Sequence, residues 1–287
     1  LGGQELEGAN IHFLYQVGKL VEEWLSKKDP HVVYALDPGE YVLHEEQAPT
    51  EQGYVRAEDV KFVVEETGDI QKVKMEDDHT KVSISKTDIT DGKEIEGAKL
   101  QILDQDGEVV ESWTTGEEHL IEYLPVGTYT LHEEAAVDGY IVANDVEFTV
   151  EETGEIQKVK MEDERAMGQL VIVKTDTDSK AALEGVEFVL LEKETGKEVG
   201  RLKTGKDGKA VSELLPIGTY ENGVFKEPIT YVLKETATLK GYEKTEEEWE
   251  IVFTYQNDKT PVIEVVKEIQ NKKIPETPGT VKPGPKT

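Results

Sequence analysis

Apolar residues along this chain keep a period of two. Short runs such as KVSISK (81–86), YTLHEE (129–134), VKMED (159–163), LVIVK (170–174) and YVLKE (231–235) alternate apolar with polar and are rich in Val, Ile, Thr and Tyr. Gly, Pro and Asp punctuate them. Alternation places residues i, i+2 and i+4 on one face of an extended strand, so the pattern predicts an all-β protein. The one stretch that admits a helix is 17–25.

The strands come in repeated sets. EETGDIQKVKMED begins at Glu65 and EETGEIQKVKMED at Glu151; LEGA from Leu6, IEGA from Ile95 and LEGV from Leu183 form a second series. LDPGEYVLHEE from Leu36, LPVGTYTLHEE from Leu124, and LPIGTY from Leu215 with YVLKE from Tyr231 form a third. A Gly-Tyr pair closes each set, at Gly53-Tyr54, Gly139-Tyr140 and Gly241-Tyr242. The constant order predicts three domains, over 1–78, 79–165 and 166–273, each the size of a small antiparallel sandwich. Their junctions, near His79 and near Ala166 to Gly168, are a few residues long, so the sandwiches are expected to form a semi-rigid rod. The remaining segment, 274–287, carries four prolines and two glycines and reads as an extended, polyproline-like tail.

Within this alternation some polar residues fall on the apolar face. Lys86 is in phase with Val82 and Ile84, and Lys174 with Leu170 and Ile172. Glu133 follows Tyr129 and Leu131 in phase, and Glu235 follows Tyr231 and Leu233. Asp163 ends the face of Val159 and Met161, and Asn271 ends that of Ile263, Val265 and Ile269. A single polar residue at a strand end simply emerges into solvent. A lysine on the first strand, a glutamate in the middle and an Asp or Asn on the last strand, in the same order in two successive domains, points further.

Buried unpaired charges are costly, so such groups pair, neutralise or react. Burial favours a neutral amine and a neutral carboxylic acid, and a neutral amine is a nucleophile. Held against the side-chain carbonyl of Asp163 or Asn271, the amine would attack with high effective concentration, while a protonated glutamate polarises that carbonyl and shuttles protons. Water would leave from the Asp pair and ammonia from the Asn pair.

These motifs resemble the collagen-adhesin B-type (Cna-B, SpaA-like) domains of Gram-positive surface proteins and pilins. The resemblance rests on SKTDITDGKEIEGAKL, YTLHEEAAVDGY and VKMED in the second domain, and on VIVKTD, YVLKETATLKGY and EIQNK in the third. It implies tandem transthyretin/Ig-like β-sandwiches, an extracellular cell-wall location, and an isopeptide bond between first and last strands. Carried over, Lys86 would bond Asp163 with Glu133 as catalyst, and Lys174 would bond Asn271 with Glu235. The first domain has the matching Glu45 and Asp77, but aligning QELEGA with KEIEGA puts its lysine before Leu1. Two readings stay open: a trimmed first strand, or a strand with a reactive lysine supplied by another polypeptide, which would make Asp77 an intermolecular attachment point. GPKT at the end approximates a sorting signal, so Thr287 is a candidate for sortase linkage to peptidoglycan or another pilin.

Composition narrows the alternatives. A net charge of -29 excludes nucleic acid and anionic membrane as partners. With 0 cysteines there is neither disulfide nor thiolate metal site. No apolar run approaches the roughly 20 residues that span a bilayer. The 6 histidines show no metal spacing, and no nucleophile elbow, phosphate loop or EF-hand loop occurs, so neither a cofactor, a metal nor catalysis on external substrates is expected. A host-matrix adhesin is the competing function; its candidate surfaces are the insertion ENGVFKEPIT from Glu221 and the stretch 18–34. Trp24 in that stretch aligns with Trp113, which favours a packing role.

Overall fold

The structure, a computed structural model, describes residues 5–275. The first repeat forms β1 (Asn10–Tyr15), β2 (Leu20–Leu25), β3 (Gly39–Gln47), a 3₁₀ turn at Thr50–Gln52, β4 (Tyr54–Val55), β5 (Val60–Val64) and β6 (Asp78–His79). The second forms β7 (Lys81–Asp88), β8 (Lys99–Leu103), β9 (Val109–Thr114), β10 (His119–Glu122), β11 (Gly127–Ala135), β12 (Tyr140–Ile141), β13 (Val146–Val150) and β14 (Ile156–Arg165). The third begins with β15 (Met167–Asp176), β16 (Glu187–Glu192), β17 (Glu198–Lys203), β18 (Lys209–Val211) and β19 (Leu215–Pro216). It continues with β20 (Gly218–Glu221), β21 (Val224–Pro228), β22 (Thr230–Ala237), β23 (Glu248–Val252) and β24 (Val262–Asn271).

No α-helix occurs among the described residues, as the period of two requires, and none is therefore long and apolar enough to cross a membrane. The one stretch that admits a helix is largely strand as well. Residues 20–25 form β2, with Trp24 opposite Ile11 of β1, because antiparallel pairing satisfies the backbone while a lone amphipathic turn would not.

The chain folds as two compact units. The first comprises residues up to Thr87, Glu94–Glu134 and Ala143–Glu162. It contains the sheets β2-β1-β3-β5 and β13-β11-β8-β9, and most of the sheet β10-β7-β14-β12. Its cores are the stacked rings Phe13, Tyr41 and Phe62, and a cluster built on Val82, Ile84, Leu100, Ile102, Leu131, Val150 and Met161. The second unit comprises Asp88–Lys93, Ala135–Val142 and the chain from Asp163 on. One sheet there has the order β18-β15-β19, with β24 parallel to β15, and a second runs β17-β16-β22-β23. Leu170, Ile172, Phe188, Leu190, Tyr231, Leu233, Phe253 and Ile269 fill the space between them.

One sequence takes two structures. IQKVKMED occurs at 70–77 and again at 156–163. The second copy is strand β14, held between β7 and β12; the first copy forms no strand. A strand needs neighbours for its backbone groups. Among the described residues the first repeat has no counterpart of β7, and only Asp78–His79 pair, with β4.

Candidate cross-linking site

In the third repeat, burial follows the alternation. Along β15 every second residue from Gly168 to Asp176 is buried, and this phase carries Lys174 inward. Its backbone is fixed on both sides: Lys174 N–H donates to Gly208 C=O at 2.8 Å, and Leu183 of the LEGV motif donates to Lys174 C=O at 3.0 Å. β22 buries Tyr231, Leu233 and Glu235 in turn, and β24 ends its inward face on Ile269 and Asn271.

Those three phases converge. Lys174 Nζ lies 2.6 Å from Asn271 Oδ1 and 2.9 Å from Glu235 Oε2, with the lysine 0% exposed. The Asn271 amide donates from Nδ2 to Glu235 Oε1 at 2.7 Å and to Thr238 Oγ1 at 2.8 Å. With both amide protons accepted elsewhere, its oxygen is the atom turned to the amine. The Phe188 ring stands 5.8 Å from Nζ and helps to keep water away. Burial pulls the Lys174 amine below its ordinary value, and the Glu235 carboxylate opposes the shift.

The arrangement suits acyl transfer. An amine at hydrogen-bond distance from an amide oxygen has the carbonyl carbon one bond further on. Glu235 touches both the nucleophile and the leaving nitrogen, so one carboxyl group can take a proton from Nζ and give one to departing ammonia.

The middle repeat repeats half of this geometry visibly. Lys86 and Glu133 are both buried, with Nζ 2.9 Å from Oε2, and Glu133 Oε2 also accepts Ala143 N–H at 2.7 Å. Ile95 N–H holds Lys86 C=O at 2.8 Å, as Leu183 holds Lys174. Asp163 is 0% exposed near the end of β14.

In the first repeat Glu45 is equally buried, and its Oε2 accepts Ala57 N–H at 2.6 Å. Its Oε1, and Oδ2 of Asp77, are buried and accept no hydrogen bond from any third group. Burial pushes the Glu45 carboxyl up to about 7 against the Ala57 bond, and the nearby Asp77 adds to the rise. Asp77 is itself raised by burial, opposed by its bond to Glu45. Two acids facing one another bond only when one of them holds a proton. Thr287 lies outside the described residues.

Sequence reasoning missed a second polar constellation. Asp88, fully buried, accepts the Tyr140 hydroxyl at 2.7 Å and Arg165 Nε at 2.6 Å. Burial pushes its carboxyl up, but Tyr140, Thr90 N–H and Arg165 outweigh that and hold it below the ordinary value. Asp176, also buried, is held differently: its Oδ1 accepts Ser179 N–H at 2.7 Å and the Ser179 hydroxyl at 2.8 Å, while Lys273 Nζ stands 5.9 Å over the Tyr242 ring. The signal was in the sequence: Asp88 and Asp176 each stand two after a buried lysine, and Arg165 and Lys273 each stand two after Asp163 and Asn271.

The insertion named as a candidate binding surface, from Glu221, forms part of the hairpin β20-β21, just after Tyr220. Tyr220 donates to Gly139 C=O at 2.8 Å, and its ring lies 4.2 Å below the Arg165 guanidinium. His44 and His132 face outward as expected and bond Asp59 and Asp145, each at 2.7 Å. Trp24 and Trp113 stack on His31 and His119. Among the described residues no group of three or more His, Cys, Asp or Glu is placed to hold a metal ion.

Fold and site together define a tandem β-sandwich protein that buries a lysine against a glutamate in successive repeats. The family model described as SpaA, prealbumin-like fold domain, matches residues 2–79, 80–165 and 168–228, and the chain belongs to that family. Among solved structures, the Bacillus anthracis TIE protein is similar at 28% identity and TM-score 0.56, over 94% of this chain and 49% of that one. This chain thus spans about half the length of that relative. The major pilin subunit of Bacillus cereus is similar at 17% identity and TM-score 0.44, over 93% of this chain and 95% of that one. The shaft pilin SpaA of Lactobacillus rhamnosus GG is similar at 17% identity and TM-score 0.29, over 69% and 99%. No curated protein sequence matches the chain.

Proposed function

We propose that the chain is a load-bearing segment of a Gram-positive cell-wall surface protein or pilin, stiffened by amide bonds that its own side chains form. The contact of Lys174 with Asn271 and Glu235 carries this reading. Neutral Lys174 Nζ attacks Asn271 Cγ; Glu235 takes the proton lost by nitrogen and delivers one to the leaving amide. The C–N bond to lysine forms, the bond to the original amide nitrogen breaks, and ammonia departs. Lys86 and Glu133 offer the same amine and acid to Asp163, with loss of water instead. Each reaction happens once, so the chain turns over no external substrate.

The mechanical gain follows from strand order. β15 and β24 are neighbouring parallel strands at the two ends of the third repeat. A bond between them passes a pulling force directly from one end to the other. The chain between Lys174 and Asn271, which stand 97 positions apart, is then spared extension. By analogy with a disulfide, closing a loop of that size stabilises by roughly 4 to 5 kcal/mol, and an amide is indifferent to reductant.

Intact-mass measurement tests the reading. The chain should weigh one ammonia and one water less than its sequence, with peptide mapping placing the ammonia loss between Lys174 and Asn271. Glu235→Ala should restore the mass of ammonia only. An unchanged mass in the wild-type chain would sink the proposal.

A further inference from the structure

The two junctions between repeats are built alike. At the first, Thr80 N–H donates to Gly53 C=O at 2.9 Å, and Tyr54 of the Gly-Tyr pair is bridged to His79. At the second, Ala166 N–H donates to Gly139 C=O at 2.8 Å, and Tyr140 is bridged to Arg165. Each bridged pair is covered by one tyrosine of the following repeat. Tyr123 lies 5.3 Å from the Tyr54 ring, edge-on at 67°, and Tyr220 lies 5.2 Å from the Tyr140 ring at 73°. Tyr123 also stacks on the His79 ring at 4.0 Å, where Tyr220 takes the Arg165 guanidinium at 4.2 Å. Tyr123 N–H donates to Thr80 C=O at 3.1 Å, and the residue keeps a φ of +60°, a region that bulky side chains rarely adopt. The same seat thus holds a permanent cation in one junction and an imidazole in the other.

Carboxylates flank the imidazole. Its Nε2 lies 3.0 Å from Glu122 Oε1 of the second repeat, and its Nδ1 lies 3.4 Å from Asp78 Oδ1. Lys81 Nζ holds that same Asp78 oxygen at 2.6 Å, so the acid left to a charged ring is Glu122. We infer that the first junction is a proton-operated clasp: protonation of His79 draws Glu122 and the face of Tyr123 onto the end of the first repeat, and loss of the proton loosens them. The second junction, filled by Arg165, keeps its charge and does not respond. A neutral imidazole offers one N–H and stacks as a plain ring. An imidazolium offers two, and adds a charge that both the Tyr123 π face and Glu122 attract. The clasp needs no covalent bond, so it stands apart from the cross-linking proposed above.

Hydrogen exchange in the full chain tests the clasp. The amides of Thr80 and Tyr123, which bond Gly53 and Thr80 across the junction, are followed at about pH 5 and about pH 8, with rates corrected for the intrinsic pH dependence of exchange. Their protection should be about two- to five-fold greater in acid, the worth of one exposed cation–π contact. The Ala166 amide at the second junction should keep the same protection at both. Two variants separate this effect from the pH slope that Glu45 gives the first repeat, because Glu45 is common to all three chains. At Thr80 and Tyr123, wild type should match His79→Arg in acid and fall below it by that factor at the higher pH. Against His79→Gln it should stand above by that factor in acid and match at the higher pH. Ratios to both variants that do not change between the two pH values overturn the inference. So does an Ala166 amide that follows Thr80.

Discussion

Lys174 Nζ and Asn271 Oδ1 lie 2.6 Å apart although they stand 97 positions apart in the chain, and neither residue is exposed by more than 2%. Two uncharged partners would fit this site with little penalty. A charged lysine requires Glu235 as counter-ion, and the balance of burial against that ion pair leaves the amine below its ordinary value. The same balance that makes the site costly makes the amine reactive.

Loss of the bond should be visible as loss of thermal stability. Asn271→Ala removes the electrophile and leaves Lys174 with Glu235. If the cross-link contributes roughly 4 to 5 kcal/mol, the third repeat should melt lower by on the order of 20 °C. Differential scanning calorimetry of the full chain reads this directly. A transition within a degree or two of the wild type would show that no bond had formed.

The first repeat should weaken as pH rises. Glu45 has its ordinary value at 4.5 when unfolded and is pushed up to about 7 when folded, so between these values the folded state binds the extra proton. Stability then falls with increasing pH across that window. Glu45→Gln, which is neutral throughout, should flatten the slope. Urea midpoints followed by Trp24 fluorescence at several pH values check both statements.

Breaking the buried pair behind Tyr140 should be more damaging than its surface-strand setting suggests. Asp88→Ala strands the Tyr140 hydroxyl and takes from the Arg165 guanidinium its buried partner, leaving it Asp91 at 3.0 Å. The expected cost is about 3 kcal/mol, measured by chemical denaturation. Arg165→Met, which removes the cation and keeps an apolar stem against Tyr220, should cost less.

Two glycines with the same backbone angle separate packing from strain. Gly139 and Gly241 both have φ of +89° and precede the tyrosine of their Gly-Tyr pair. A Cβ on Gly139 would meet Phe225 Cδ2 and Tyr220 Oη, each at 2.8 Å, whereas one on Gly241 meets nothing within 4 Å. Gly241→Ala should therefore cost only the left-handed strain, about 1 kcal/mol. Gly139→Ala should cost about 1 to 3 kcal/mol more because the β20-β21 hairpin must shift. Equal midpoints for the two variants would show that the hairpin is not packed there in solution.

Alternation by itself determined which residues face inward. Lys86, Lys174, Glu133, Glu235, Asp163 and Asn271 are all buried, because on an extended strand the side-chain direction follows from sequence parity alone. The all-β class and the inward lysines follow from that one rule. What parity cannot supply is the neighbour. IQKVKMED has the same parity at 70–77 and at 156–163, yet only the second copy is a strand, because only there do β7 and β12 accept and donate its backbone hydrogen bonds. For the same reason 20–25 lies along β1 instead of winding into a helix. The docking of Tyr220 on Gly139, and the capture of Asp88 by Tyr140 and Arg165, likewise depend on contacts between residues far apart in the chain. The sequence set the direction of each side chain, and only the tertiary structure decided what each one would meet.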